Sequence, residues 1–177
     1  WQVAGREVKV VSGNTVTTSH YAADGSLTGS VVEVKAATGL LSRVEQRGAD
    51  GALDRYTVAQ LDAQGVLTTR HHDGNDRFLG AQQRWVQADG VTVQAEYDSS
   101  WSMTGRTYYG TAADDTLHLA VGRNLVVTGG GADHIVANHG VDTILLSVGD
   151  QPVTVEGFTA GQDRLVLRPM PHPRPPQ

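Results

Sequence analysis

The chain has 177 residues and a net charge of −5, with its 14 Lys and Arg scattered, which speaks against a nucleic-acid footprint. No run of about 18 apolar residues occurs, so no transmembrane segment is expected, and no secretory signal peptide opens the chain. The absence of cysteine excludes disulfides, and 21 Gly against 6 Pro suits many tight turns around a thin core. The chain opens at Trp1, as expected of a piece excised from a longer protein.

Turn signals recur through residues 1–109: SGN at 12–14, DG at 24–25, TG at 38–39, DG at 50–51, QG at 64–65 and DG at 89–90. The glycines of the first five turns, 13, 25, 39, 51 and 65, lie 12, 14, 12 and 14 residues apart. Four turns share a tail ending at Leu27, Leu41, Leu53 and Leu67. Glycine supplies the positive φ that tight hairpins need. Between the turns lie segments rich in Val, Thr and Tyr. In VTVQAEY (91–97), Val91, Val93, Ala95 and Tyr97 share one face, and Thr92, Gln94 and Glu96 share the other. Residues 1–109 therefore predict an antiparallel β-meander of repeated hairpins. The phrases YAADGSLTG and YDSSWSMTGRTYYG resemble the YD-type repeats of large bacterial shell and toxin proteins.

At HHDGNDRFLG (71–80) the rhythm breaks, and a wide hairpin loop is expected. Asp73 and Asp76 could chelate there, but the segment stands alone.

From residue 110 a nine-residue frame runs without insertion: GTAADDTLH, LAVGRNLVV, TGGGADHIV, ANHGVDTIL and LSVGDQPVT, ending at 154. The fourth column reads Ala113, Gly122, Gly131, Gly140, Gly149. The sixth reads Asp115, Asn124, Asp133, Asp142, Gln151, and the eighth Leu117, Val126, Ile135, Ile144, Val153. Neither the 3.6 period of a helix nor the 2.0 period of a strand explains a period of nine, so a larger unit repeats. The frame resembles the nonapeptide G-G-x-G-x-D-x-U-x of the RTX (hemolysin-type) family.

That resemblance implies a short parallel β-roll over 110–154, two nonapeptides per turn, with the eighth column packed inside. It also implies Ca2+ between loops two repeats apart, held by carboxylates and loop carbonyls, since calcium takes six to eight oxygens. Asp115 would face Asp133, with carbonyls from the loops that hold Gly110, Ala112, Gly129 and Gly131. Asn124 would face Asp142 beside Gly140. Asp133 would next face Gln151, a doubtful level because Gln is neutral and longer. Gly129 alone fills the second position with glycine, and Gly110 alone the first, so the array is sparser than an ion-rich roll. Residues 155–168 resemble an RTX closing segment, with Phe158 covering the open end and Leu165 and Leu167 in a last strand. The tail 169–177 reads as a Pro-rich linker or terminus.

Rival sites are weaker. His118 and His134 would point outward on one sheet and could share a transition metal, but exposed strand histidines read more simply. His20, His71, His72 and His139 show no zinc-protease spacing. Asp114 is explained by the repeat, and Glu33, Glu45 and Glu96 by polar strand faces. No nucleophile elbow, cysteine nucleophile or phosphate loop is present. Trp85 and Trp101 read as apolar anchors before they read as a sugar platform.

The expected whole is all-β and non-catalytic: a calcium-binding module of a secreted or surface-bound bacterial toxin, adhesin or enzyme, folding on calcium to support type I secretion. The alternative is a binding module whose roll is purely structural. Its glycan or protein partner would sit on the meander, signalled by Trp85, Trp101, Tyr108 and Tyr109 exposed in one patch.

Overall fold

The computed structural model describes residues 5–36, 41–147 and 151–168, and among them every regular element is a strand. The turn expected at 38–39 and Gly149 lie outside the described residues. Two compact units form: one runs to Gln83 and regains Tyr97–Ser102, and the other comprises Arg84–Glu96 and continues from Met103.

The meander strands are β1 (Arg6–Ser12), β2 (Thr15–Tyr21), β3 (Leu27–Lys35), β4 (Leu41–Arg47), β5 (Leu53–Leu61), β6 (Leu67–Asp73), β7 (Phe78–Val86), β8 (Thr92–Asp98) and β9 (Met103–Tyr109). Neighbours from β1 to β6 pair antiparallel, and β7, β8 and β9 continue the order. Six of the hairpin turns close alike: the N–H of Gly25, Gly51, Gly65, Asp76, Gly90 or Trp101 bonds the carbonyl three residues back at 3.0–3.1 Å. All six residues have positive φ. The wide loop expected at 71–80 is therefore corrected. His71 and His72 belong to β6, and Asp73–Arg77 makes the same tight turn with Asp76 in the glycine place.

Within the first unit little is fully buried beyond Tyr56 and Ala81. The alternating pattern of 91–97 is realised in the second unit, where Val91, Val93 and Ala95 are buried.

The roll strands are β10 (Thr116–His118), β11 (Gly122–Val127), β12 (His134–Val136), β13 (Gly140–Ser147), β14 (Thr154–Glu156) and β15 (Arg164–Arg168). They form two parallel ladders: β9–β11–β13–β15 and β10–β12–β14. Leu117 pairs with Ile135 and Val126 with Ile144, a step of 18 residues and so of two nonapeptides. The first rung begins earlier than the repeat shows, because Tyr108 of β9 pairs with Val126.

Burial follows the frame. The sixth and eighth columns face inward from Asp115 to Ile144, and the first column joins them through Leu119, Thr128 and Ala137. Leu117, Ile135, Ile144 and Val126 are essentially inaccessible, and Tyr108, Leu119 and Ala137 complete the core with Val91 and Val93. Close rung spacing explains two of the repeated glycines, whereas Gly122 meets open space and is set by its φ of 113°. A side chain on Gly140 would run into the Gly122 carbonyl oxygen, and one on Gly131 into that of Ala113.

The end of the roll departs from the frame. Ile135 pairs with Val155 rather than Val153, and Ile144 pairs with Leu165. Extra residues enter each side of the last turn, so Gln151 does not stand level with Asp133. Phe158 is not a lid. It is itself exposed, and Leu165, the last inward-column residue among those described, stays 52% accessible.

Candidate functional site: the buried carboxylate columns

The roll positions its acids by register. Residues that pair across parallel strands point to the same face, so the sixth position of each rung stacks on that of the next. One column is Asp115 and Asp133. The other is Arg106, Asn124 and Asp142, the first two paired in one ladder and the last two in the next. Asp163 extends it, because its carboxylate accepts the Asp142 N–H at 2.9 Å.

These side chains are deeply buried for acids: Asp142 0%, Asp133 1%, Asp115 7% and Asp163 7% accessible. Buried carboxylates are costly unless hydrogen-bonded and charge-compensated. Backbone N–H groups supply the hydrogen bonds. Asp115 accepts Thr111 N–H at 2.6 Å and the Thr111 hydroxyl at 3.1 Å. Asp163 accepts Thr159 N–H at 2.8 Å. Each thus closes the tight loop four residues back. The columns are also linked vertically: Asp115 N–H donates to Asp133 Oδ1 at 3.0 Å, as Asp142 N–H does to Asp163.

The expected pairs come together, and they differ in kind. Asp115 and Asp133 share a level between stacked loops. Gly110 and Gly129 approach so closely that a side chain on Gly129 would stand 2.7 Å from the Gly110 oxygen. A side chain on Gly130 would meet Ala112 only at ordinary contact distance, 3.6 Å. Asn124 and Asp142 are closed directly, the amide donating to Asp142 Oδ1 at 2.8 Å and to the Ala120 carbonyl at 2.7 Å. The next level of this column carries two carboxylates, Asp142 and Asp163, and was not expected; on the other column the level expected between Asp133 and Gln151 does not form, because His134 pairs with Thr154. Sequence reading missed Asp163 as a rung. Its signal was Gly161-x-Asp163-x-Leu165, the same motif displaced by the insertion.

Asp142 Oδ2 is buried and has no hydrogen-bond partner among the described residues. No ion pair among them reaches Asp115, Asp142 or Asp163. Burial raises the Asp142 carboxyl above its ordinary value. The Asn124 side-chain hydrogen bond works against that rise, and the Asp163 charge adds to it. Two such acids supply hard oxygens of the kind a calcium ion accepts. Among the described residues no three His, Cys, Asp or Glu side chains cluster, so most of the oxygens would come from the backbone.

The other candidates separate. His134 Nε2 lies 3.4 Å from Glu156, and His118 is exposed on the same ladder, level with Val136. Trp85 packs against the roll core and Tyr108 is inside it, so neither belongs to an exposed aromatic patch. A cavity of about 260 Å³ on the roll is lined by Glu96, Arg123, Leu125, Val141 and Thr143 among others, with Glu96 its one carboxylate. No known family, curated protein or solved structure matches the chain.

Proposed function

We propose that this chain is a non-catalytic, calcium-responsive β-roll module of a secreted or surface-bound bacterial protein. The observation that carries this is the pair of inward columns with two-carboxylate levels, Asp115/Asp133 and Asp142/Asp163, all four acids deeply buried. Bound calcium would neutralise this charge. The protein's part would be to present the oxygens: Asp142 Oδ2, which has no hydrogen-bond partner among the described residues, and carbonyls of the stacked loops at 110–115 and 128–133. The Asn124 amide already closes its own level with Asp142, so that level needs no ion.

Without neutralisation, stacked acids repel and oppose closure of the last rungs. With it, binding free energy becomes folding free energy. Extracellular calcium modules work at about 10⁻⁴–10⁻³ M, and the RTX resemblance supplies the setting of a chain exported unfolded and closed outside the cell. Isothermal titration of the metal-free protein tests the assignment. Calcium, and not magnesium, should bind in this range. Asp163→Asn should remove one class of site and leave the Asp115/Asp133 class. Unchanged binding in both Asp163→Asn and Asp133→Asn would reject the columns as the site.

A further inference from the structure

A second site lies in the meander and does not rest on the calcium reading. In the first unit the positive-φ turn position is glycine at Gly25 (φ 85°), Gly51 (φ 78°) and Gly65 (φ 80°). A side chain at these three would meet open space, so only the backbone conformation selects glycine there. Two turns give glycine up: Asp76 sits at φ 67° and Trp101 at φ 59°. The left-handed region is tolerated by Asp, but it is a true outlier for a bulky residue. Strain of this kind persists where the surroundings gain from it.

Both side chains turn back onto the same row. Arg43 caps the Tyr56 ring at 3.7 Å. Tyr56 stacks on His72 at 4.6 Å and 6°, His72 meets Phe78 edge-on at 5.7 Å, and Phe78 stacks on Trp101 at 5.0 Å and 16°. Tyr97 tilts against Trp101 at 5.8 Å. Asp76 accepts the Tyr56 hydroxyl. Arg43 closes one end, held by Glu45 at 2.8 Å. Trp101, 47% accessible, leaves the other end open.

We propose that this open end binds a neutral glycan, with a pyranose ring stacked on Trp101 as the next member of the row. The rings fill one another's faces and enclose no void, which excludes a cage for a quaternary ammonium group. Asp73 is paired with Arg77 at 3.1 Å, which leaves Asp76 and Asp98 to disfavour anionic ligands. A pyranose offers what remains: a flat C–H face for the negative face of the indole and hydroxyls for the rim. The Asp76 side chain, 81% accessible, lies back along the row beside Tyr56 and His72, so it would serve a second sugar unit and not the ring on Trp101. Tyr97 hydroxyl and Gln83, bonded to each other at 3.0 Å, are the next polar groups along the row.

The test follows the Trp101 indole N–H by NMR while hexasaccharides of β-1,4-glucose, α-1,4-glucose and β-1,4-N-acetylglucosamine are titrated into the full chain, with polygalacturonate as the acidic control. At least one neutral hexasaccharide should shift that signal saturably. Trp101→Gly and Asp76→Gly restore the glycine of the sister turns, so both should fold. Each should weaken binding roughly tenfold or more, about the worth of one aromatic contact, read by calorimetry. The proposal is overturned if no neutral hexasaccharide moves the signal, if only polygalacturonate does, or if both variants bind as tightly as the parent.

Discussion

Asp142 shows how one residue carries both stability and function. Its carboxyl is raised above 3.8 chiefly by burial. An acid with a raised folded value holds its proton more tightly folded than unfolded. Its stabilising contribution is therefore complete below 3.8 and is lost as pH climbs through the raised value. Metal-free protein should lose thermal stability over that interval, and Asp142→Asn should flatten the loss. A melting series against pH checks this, and parallel curves for the two proteins would contradict it. Trp101 carries the opposite sign. Left-handed backbone costs a non-glycine residue about 1–2 kcal/mol, so Trp101→Gly should melt no lower than the parent, despite losing its contact with Phe78. A clearly lower midpoint would mean the row serves stability first.

Among the elements, the roll strands are short and depend on their stacking. β10 and β12 have three residues each, and each sends a single eighth-position side chain fully inside. Ile135→Ala should cost about 2–5 kcal/mol by denaturant unfolding. Gly140→Ala should cost about 1–3 kcal/mol from the collision with Gly122. A small effect in both would mean these rungs are not closed in solution. The register from Asp115 to Ile144 was legible because the frame runs there without insertion and the RTX resemblance implies two nonapeptides, 18 residues, per turn. The ends were not. At the start, Arg106 and Tyr108 occupy the sixth and eighth places in a strand that reads as meander. At the finish, extra residues displaced Val155 and Asp163 from the frame, and only their pairing with Ile135 and Asp142 restores them. The turn at Asp76 was misread for a related reason. Asp can adopt the glycine conformation, so no glycine marks the turn position at residue 76.

In the molecule as a whole, hydrophobic burial is concentrated in the second unit, and it encloses acids along with Leu, Val and Ile. A thin core holding four buried carboxylates is poorly stabilised by apolar packing alone. That is the physical case for a fold whose closure answers to a cation. At a tenfold to hundredfold excess over the dissociation constant, each site would add about 1.4–2.7 kcal/mol, enough to matter to a domain of ordinary marginal stability. The most direct measurement is thermal unfolding of the metal-free full chain by far-UV circular dichroism, with calcium or magnesium raised to about 10 mM, well above the usual extracellular range. The account predicts a calcium-specific rise in melting temperature or gain of β signal, lost when Asp133 and Asp163 are both changed to Asn. Identical melts with calcium, with magnesium and without either would contradict it, leaving a roll held by its Leu, Val and Ile column and by the backbone N–H bonds to its aspartates.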